Sequence, residues 1–247
     1  MEKYNLNNIY LSICFLIPIL LITGPFLPDL VVSISIFFLI YIKNNPNFKT
    51  IIRNKLFIIL IIFYFFSIIS SLLSDEVLFS LKSSFLNLRF LIFASVFSLL
   101  IFNNLTKLKF LFAILLVSFC ALSIDGFIQY TFGENILGYN QPSEGRLSSL
   151  FDDRRVLGSY LSKFYPLLLS IYFILGYEKN RKITLFFLFL TIIVTNIILL
   201  SGERASFYHH LIFILIVLPL FLLKNKAKII SVSVIFLCIL VFTIFSN

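Results

Sequence analysis

The chain has 247 residues, 60% of them hydrophobic and 13% charged, with 32 Phe and no Trp. That composition excludes an ordinary soluble domain and reads as one bundle of membrane-spanning helices, each needing about 20 apolar residues. The formal charge of +9 lies mostly in short segments between apolar runs, so it reads as membrane orientation, and no basic face suited to nucleic acid is expected.

Apolar runs predict an all-α, polytopic bundle with about nine spans, forming a single transmembrane domain over 1–247. The spans fall near 9–25, 28–42, 55–74, 86–102, 108–130, 157–176, 183–200, 205–223 and 229–246. The first two share the turn Thr23 to Asp29 and read either as two crossings or as one re-entrant hairpin. The first run has no small-residue cleavage site after it, so it reads as a retained helix. With the N-terminus in the cytoplasm, thirteen of the 20 basic residues but only two of the 11 acidic ones fall inside. That asymmetry fits the positive-inside rule. It makes residues 131–156 a periplasmic loop, broken by Gly133, Gly138, Pro142 and Gly145. Ser148 and Ser201 are expected to be reachable from the periplasm.

Cys14, Cys120 and Cys238 each lie inside an apolar run and read as small buried hydrophobes, without a disulfide or a metal site. No P-loop, GxSxG, HExxH or DxD pattern occurs. That argues against nucleotide chemistry at the cytoplasmic face and against the commonest metal centre. Neither a metal nor a cofactor is expected.

Two arginines lie on the expected outer side, against the charge bias. Arg146 stands in Gly145-Arg146-Leu147-Ser148-Ser149, and Arg204 in Ser201-Gly202-Glu203-Arg204-Ala205-Ser206. A charge kept at the membrane boundary against that bias is a functional candidate. A guanidinium grips phosphate oxygens through a two-pronged fork that a lysine lacks. Loop pairing with Glu144 or Asp152 is the plain alternative for Arg146, and snorkelling or a salt bridge for Arg204. Glu203 reads as a local charge partner. Arg154 and Arg155 read as loop charges balanced by Asp152 and Asp153, or as contacts to anionic sugars of an acceptor. Arg89 reads as snorkelling or as a third anion contact. Asp29 reads as a turn residue. Asp125 and Gln129, four apart on one helix face, either line a cavity or pair with Arg146. Adjacent His209 and His210 point about 100° apart on a helix, which suits a buried histidine bonded to another helix better than a metal.

The stretch Arg146 through Leu157-Gly158-Ser159-Tyr160-Leu161 and Pro166, followed one hairpin later by Leu200-Ser201-Gly202-Glu203-Arg204-Ala205-Ser206-Phe207, resembles the O-antigen ligase and polymerase superfamily. The resemblance covers roughly residues 120–223. It implies an inverting, metal-independent transfer of glycan from undecaprenyl diphosphate at the periplasmic face of the bacterial inner membrane. The acceptor would be lipid A core, another glycan or a protein hydroxyl. It also implies that Arg146 and Arg204 are the catalytic pair that engages the donor diphosphate. The family continues into a large periplasmic loop that bears a histidine base. This chain stops at Asn247, so it is expected to be a shortened member, with no histidine assigned as base. A transporter or flippase for a lipid-linked saccharide, and a non-catalytic subunit or fragment of a split ligase, stay open as alternatives.

Overall fold

The computed structural model describes residues 2–42, 47–101, 105–141, 146–152 and 154–217. The described residues are all-α, with no strand beyond an isolated bridge between Glu134 and Asn140. The chain divides into two compact units, at Ile114 and Leu115.

The first unit contains α1 (Glu2–Phe15), α2 (Ile17–Thr23), α3 (Phe26–Ile42), α4 (Asn47–Ile52), α5 (Lys55–Leu72) and α6 (Val77–Ile101). Pro18 explains the break between α1 and α2, which bend by 51°. Its ring cannot donate to the carbonyl of Cys14 and collides with it, so the helix cannot run through Leu16. Helix α6 packs against α1, α3, α4 and α5. The core gathers Tyr10, Cys14, Val31, Val96 and Leu99. The Tyr10 ring stacks on Phe38 at 4.0 Å, and its hydroxyl donates to the Val31 carbonyl at 3.2 Å. Serines join α5 to α6: Ser71 and Ser84 hydroxyls meet at 2.6 Å, and Ser74 donates to Ser80 at 2.8 Å.

The second unit takes in most of α7 (Leu105–Phe132), then α8 (Leu157–Ile174), α9 (Arg181–Leu200) and α10 (Arg204–Ile212), which loosens into a wider turn over Phe213–Val217. Helix α8 packs on both α9 and α10. Gly126 of α7 lets Ile197 and Leu157 close in. The buried interior includes Phe119, Leu122, Phe151, Leu161, Tyr165, Leu168, Val194 and Ile198. Asn180 starts α9 as a side-chain cap, accepting from the Lys182 N–H at 3.1 Å.

Helices α7, α8 and α9 lie within three residues of the expected spans. The described residues do not support the expected nine crossings. Among the described residues three helices are long and apolar enough to cross a membrane: α6, α7 and α9. A fourth is added if bent α1 and α2 form one span. The apolar parts of α3 and α5, Phe26–Leu39 and Phe57–Leu72, are shorter. Helix α8 carries Lys163, Pro166, three serines and three tyrosines along its 18 residues, which dilute its apolar character. The expected span 229–246 lies outside the described residues. Helix α6 begins well before the apolar run at 86, and Ser80 and Ser84 in its first turns bond to Ser74 and Ser71. A membrane protein is the class that these helices support, with large apolar side chains such as Ile59, Phe63 and Phe66 exposed along α5.

Ser148 and Ser201 are buried, at 0% and 1% exposure, so the expectation that both are reachable from the periplasm is also corrected. Glu134 and Lys179 are exposed and lie at opposite ends of α8. A membrane-impermeant maleimide is expected to label Glu134→Cys and Lys179→Cys from opposite sides of the membrane. Labelling of both from one side would show that α8 does not cross.

Candidate functional site

The end of the second unit where α7 finishes, α8 begins and α9 gives way to α10 is built from polar side chains. Helix α7 supplies two of them. The Gln129 carboxamide oxygen accepts from the N–H groups of Ser148 at 2.9 Å and Ser149 at 2.8 Å. Its nitrogen donates to the Ser148 hydroxyl at 3.2 Å. One turn earlier, Asp125 accepts from the Ser149 hydroxyl at 2.6 Å and the Ile136 N–H at 2.9 Å. Both side chains are essentially unexposed, at 1% for Asp125 and 0% for Gln129. Asn135 completes the cradle: its amide nitrogen donates to the Ser149 carbonyl at 2.8 Å, and its oxygen accepts from the Leu137 and Tyr139 N–H groups.

Ser149 is held at its N–H, its hydroxyl and its carbonyl by three different side chains. That over-determination keeps a non-glycine residue at φ 52°, a conformation that costs energy and persists only under such constraint. Asp152, at φ 59° and ψ −135°, sits where glycine is the natural occupant.

The break between α9 and α10 is the second half of the site. Ser201 ends α9, and Gly202 follows at φ 71°, the left-handed position that closes many helices. A Cβ on Gly202 would stand 2.9 Å from Cγ, 3.3 Å from Cδ and 3.4 Å from Nε of Arg146. The half-buried Arg146 side chain therefore lies directly over this glycine. Arg204, two residues on, is exposed as the first residue of α10. Glu203 turns toward α8. Its carboxylate accepts from the N–H groups of Gly158 at 2.8 Å and Ser159 at 3.0 Å. It also accepts from the hydroxyls of Ser159 at 2.5 Å and Ser206 at 2.9 Å. Val156, which precedes α8, makes no capping bond of its own, so a residue from a later hairpin caps the helix. Gly158 is required there, because a Cβ would collide with the Ser201 hydroxyl.

The arrangement thus brings Arg146 onto the segment that carries Arg204. Arg154 and Arg155 are exposed just before α8, at the same end. The Arg154 Nε donates to the Phe151 carbonyl at 3.3 Å. Arg89 belongs to the first unit. Its Nη2 lies 3.0 Å from the Asp29 carboxylate, and its guanidinium stands 5.0 Å over the Phe90 ring. Asp29 is therefore the partner of Arg89. Asp125 and Gln129 hold the loop backbone, a role outside both expectations for them. His210 is fully buried and its Nε2 meets Thr195 Oγ1 of α9 at 3.2 Å, as expected for a histidine bonded across helices. His209 is exposed. No group of three metal-ligating side chains occurs among the described residues. Glu144 and Asp153 lie outside them.

Away from this end, α7 and α9 flank an apolar groove of about 460 Å³ that is open on one side. Its lining includes Cys120, Ile124, Phe127, Phe186, Phe189 and Ile193, and it falls in the size range of small-molecule sites.

Comparison of the chain with protein-family models, curated proteins and solved structures gave no match.

Sequence reasoning missed the capping by Glu203 and the cradle by Asn135. The one local hint was a helix start at Leu157 preceded by Val156, a residue unable to cap.

Two stability outcomes follow from the loop. Gln129→Leu strands two buried N–H groups and is expected to destabilise the protein by about 2–4 kcal/mol, read as a lower thermal midpoint in detergent. Asp152→Gly relieves backbone strain and is expected to raise that midpoint, by about 1 kcal/mol of stability. A midpoint that falls in Asp152→Gly would show that the aspartate side chain itself holds the turn.

Proposed function

We propose that the loop end of the second unit binds the diphosphate of an undecaprenyl-linked glycan, and that the protein takes part in O-antigen ligase-like glycosyl transfer. The carrying observation is the seat of Arg146 on Gly202, next to Arg204. Residues 146 and 204, distant in sequence, thereby share one end of one helical unit. In this reading the acceptor hydroxyl oxygen bonds to the anomeric carbon, and the bond from that carbon to the diphosphate oxygen breaks. The hydroxyl proton passes to a base. Negative charge grows on the leaving diphosphate, and preorganised guanidiniums stabilise it. In this reading Arg154 and Arg155 meet anionic sugars of an acceptor, and Arg89 serves structure through Asp29. The apolar groove between α7 and α9 offers the lipid portion of the donor a place away from the cations.

The orientation belongs to the same proposal: N-terminus in the cytoplasm, loop end of the second unit in the periplasm, and the bacterial inner membrane as host. It rests on the charge asymmetry that the nine expected crossings give the two sets of segments, of which the described residues support three or four.

Arg146→Ala and Arg204→Ala are each expected to lower transfer from purified undecaprenyl-diphosphate-linked glycan by about 10²–10³-fold, with the protein still in the membrane. Lysine at either position keeps the charge but loses the fork, and is expected to recover part of the rate. Unchanged transfer in both alanine variants would remove the arginines from the site. Movement of the donor across a vesicle bilayer without transfer would replace the ligase reading with that of a flippase.

A further inference from the structure

We infer that Glu203 is a positioning residue: by clamping the start of α8 it fixes the α9–α10 break on which Arg146 rests and from which Arg204 projects. This inference rests on the function proposed above. Each Glu203 oxygen takes one main-chain N–H of α8, Oε1 from Gly158 and Oε2 from Ser159. Oε2 also takes the hydroxyls of Ser159 and Ser206. These bonds tie α10 to α8 across 45 residues of sequence. A carboxylate suits the place for two reasons. Both backbone groups facing it are donors, and the helix start favours negative charge. The α-carbon of Glu203 lies between Gly202, which carries the Arg146 side chain, and Arg204. Holding the carboxylate at both oxygens therefore restrains the backbone of all three residues. Contact with substrate is not part of the role.

Glutamine is the discriminating substitution. It has nearly the same shape, but one of its two positions becomes an NH2 group facing an N–H donor. Glu203→Gln is expected to weaken binding of undecaprenyl diphosphate in nanodiscs by about 10- to 100-fold, the scale set by small misplacements of binding groups. The Ser159 and Ser206 hydroxyls lie 2.9 Å apart, so a Ser159→Cys, Ser206→Cys pair is positioned to form a disulfide between α8 and α10. The pair is built in a chain carrying Cys14→Ala, Cys120→Ala and Cys238→Ala. In that chain the oxidised disulfide is expected to restore the affinity of Glu203→Gln to within a few-fold of the parent, and reduction is expected to remove the gain. The rate of disulfide formation should itself fall when Glu203 is replaced. Unchanged affinity in Glu203→Gln overturns the inference, and so does a formed disulfide that restores nothing. If the parent chain fails to bind undecaprenyl diphosphate, the function proposed above fails. The disulfide rate then decides the positioning role alone, and equal rates with and without the Glu203→Gln substitution overturn it.

Discussion

Buried main-chain donors must find partners inside the protein, and side chains at the loop end of the second unit reach back to the backbone to supply them. Gln129 accepts from two successive N–H groups, Asp125 from a third, and Glu203 from two more at the start of α8. The carboxylate of Glu203 serves a helix start, where the dipole favours a negative charge. A loop fixed in this way delivers Arg146 to a definite place, which an unrestrained polar loop would not.

Arg89 and Arg146 lay their side chains on different kinds of neighbour. Arg89 has its charge answered locally by Asp29 and its face covered by Phe90. With Arg89 26% exposed and Asp29 45% exposed, solvent screens the pair, and its value lies in orienting α3 against α6 more than in stability. Arg146 spends its aliphatic stem on Gly202 instead, which brings its guanidinium close to the α9–α10 break. The glycine is needed twice over: for its left-handed backbone and for the space that a Cβ would take from the arginine.

The apolar runs that became α7, α8 and α9 were readable to within three residues, because a glycine follows each of them and leaves a clear composition boundary. Other boundaries were less legible. The start of α6 lies before the apolar run at 86, where Ser80 and Ser84 bond to Ser74 and Ser71. The run 9–25 looked continuous, and only the missing N–H of Pro18 divides it. In the site, both arginines could be picked out as charges against the bias, but their supports could not. Gln129 meets Ser148 across 19 residues, and Glu203 meets Gly158 across 45. Spacing at helical period carries no trace of such pairs. Asp125 and Gln129 were visible as one polar face, yet whether that face met an arginine, a ligand or a backbone depended on how the loop returned.

The break between α9 and α10 also carries a local conflict. A cation at a helix start is disfavoured by the dipole, typically by about 0.3–1 kcal/mol, yet α10 opens with Arg204. Helix α9 likewise opens with Arg181, but there Asn180 caps its own helix. At α10 the residue in the capping position is Glu203, and its carboxylate is committed to the backbone of α8 while its own helix goes uncapped. Local preference would have placed a small capping residue and an acid in these two positions. Sequences tend to break such rules where a side chain is kept for a purpose other than stability. The conflict therefore falls at the residue that a diphosphate site would need, and the clamp that maintains it comes from the residue immediately before.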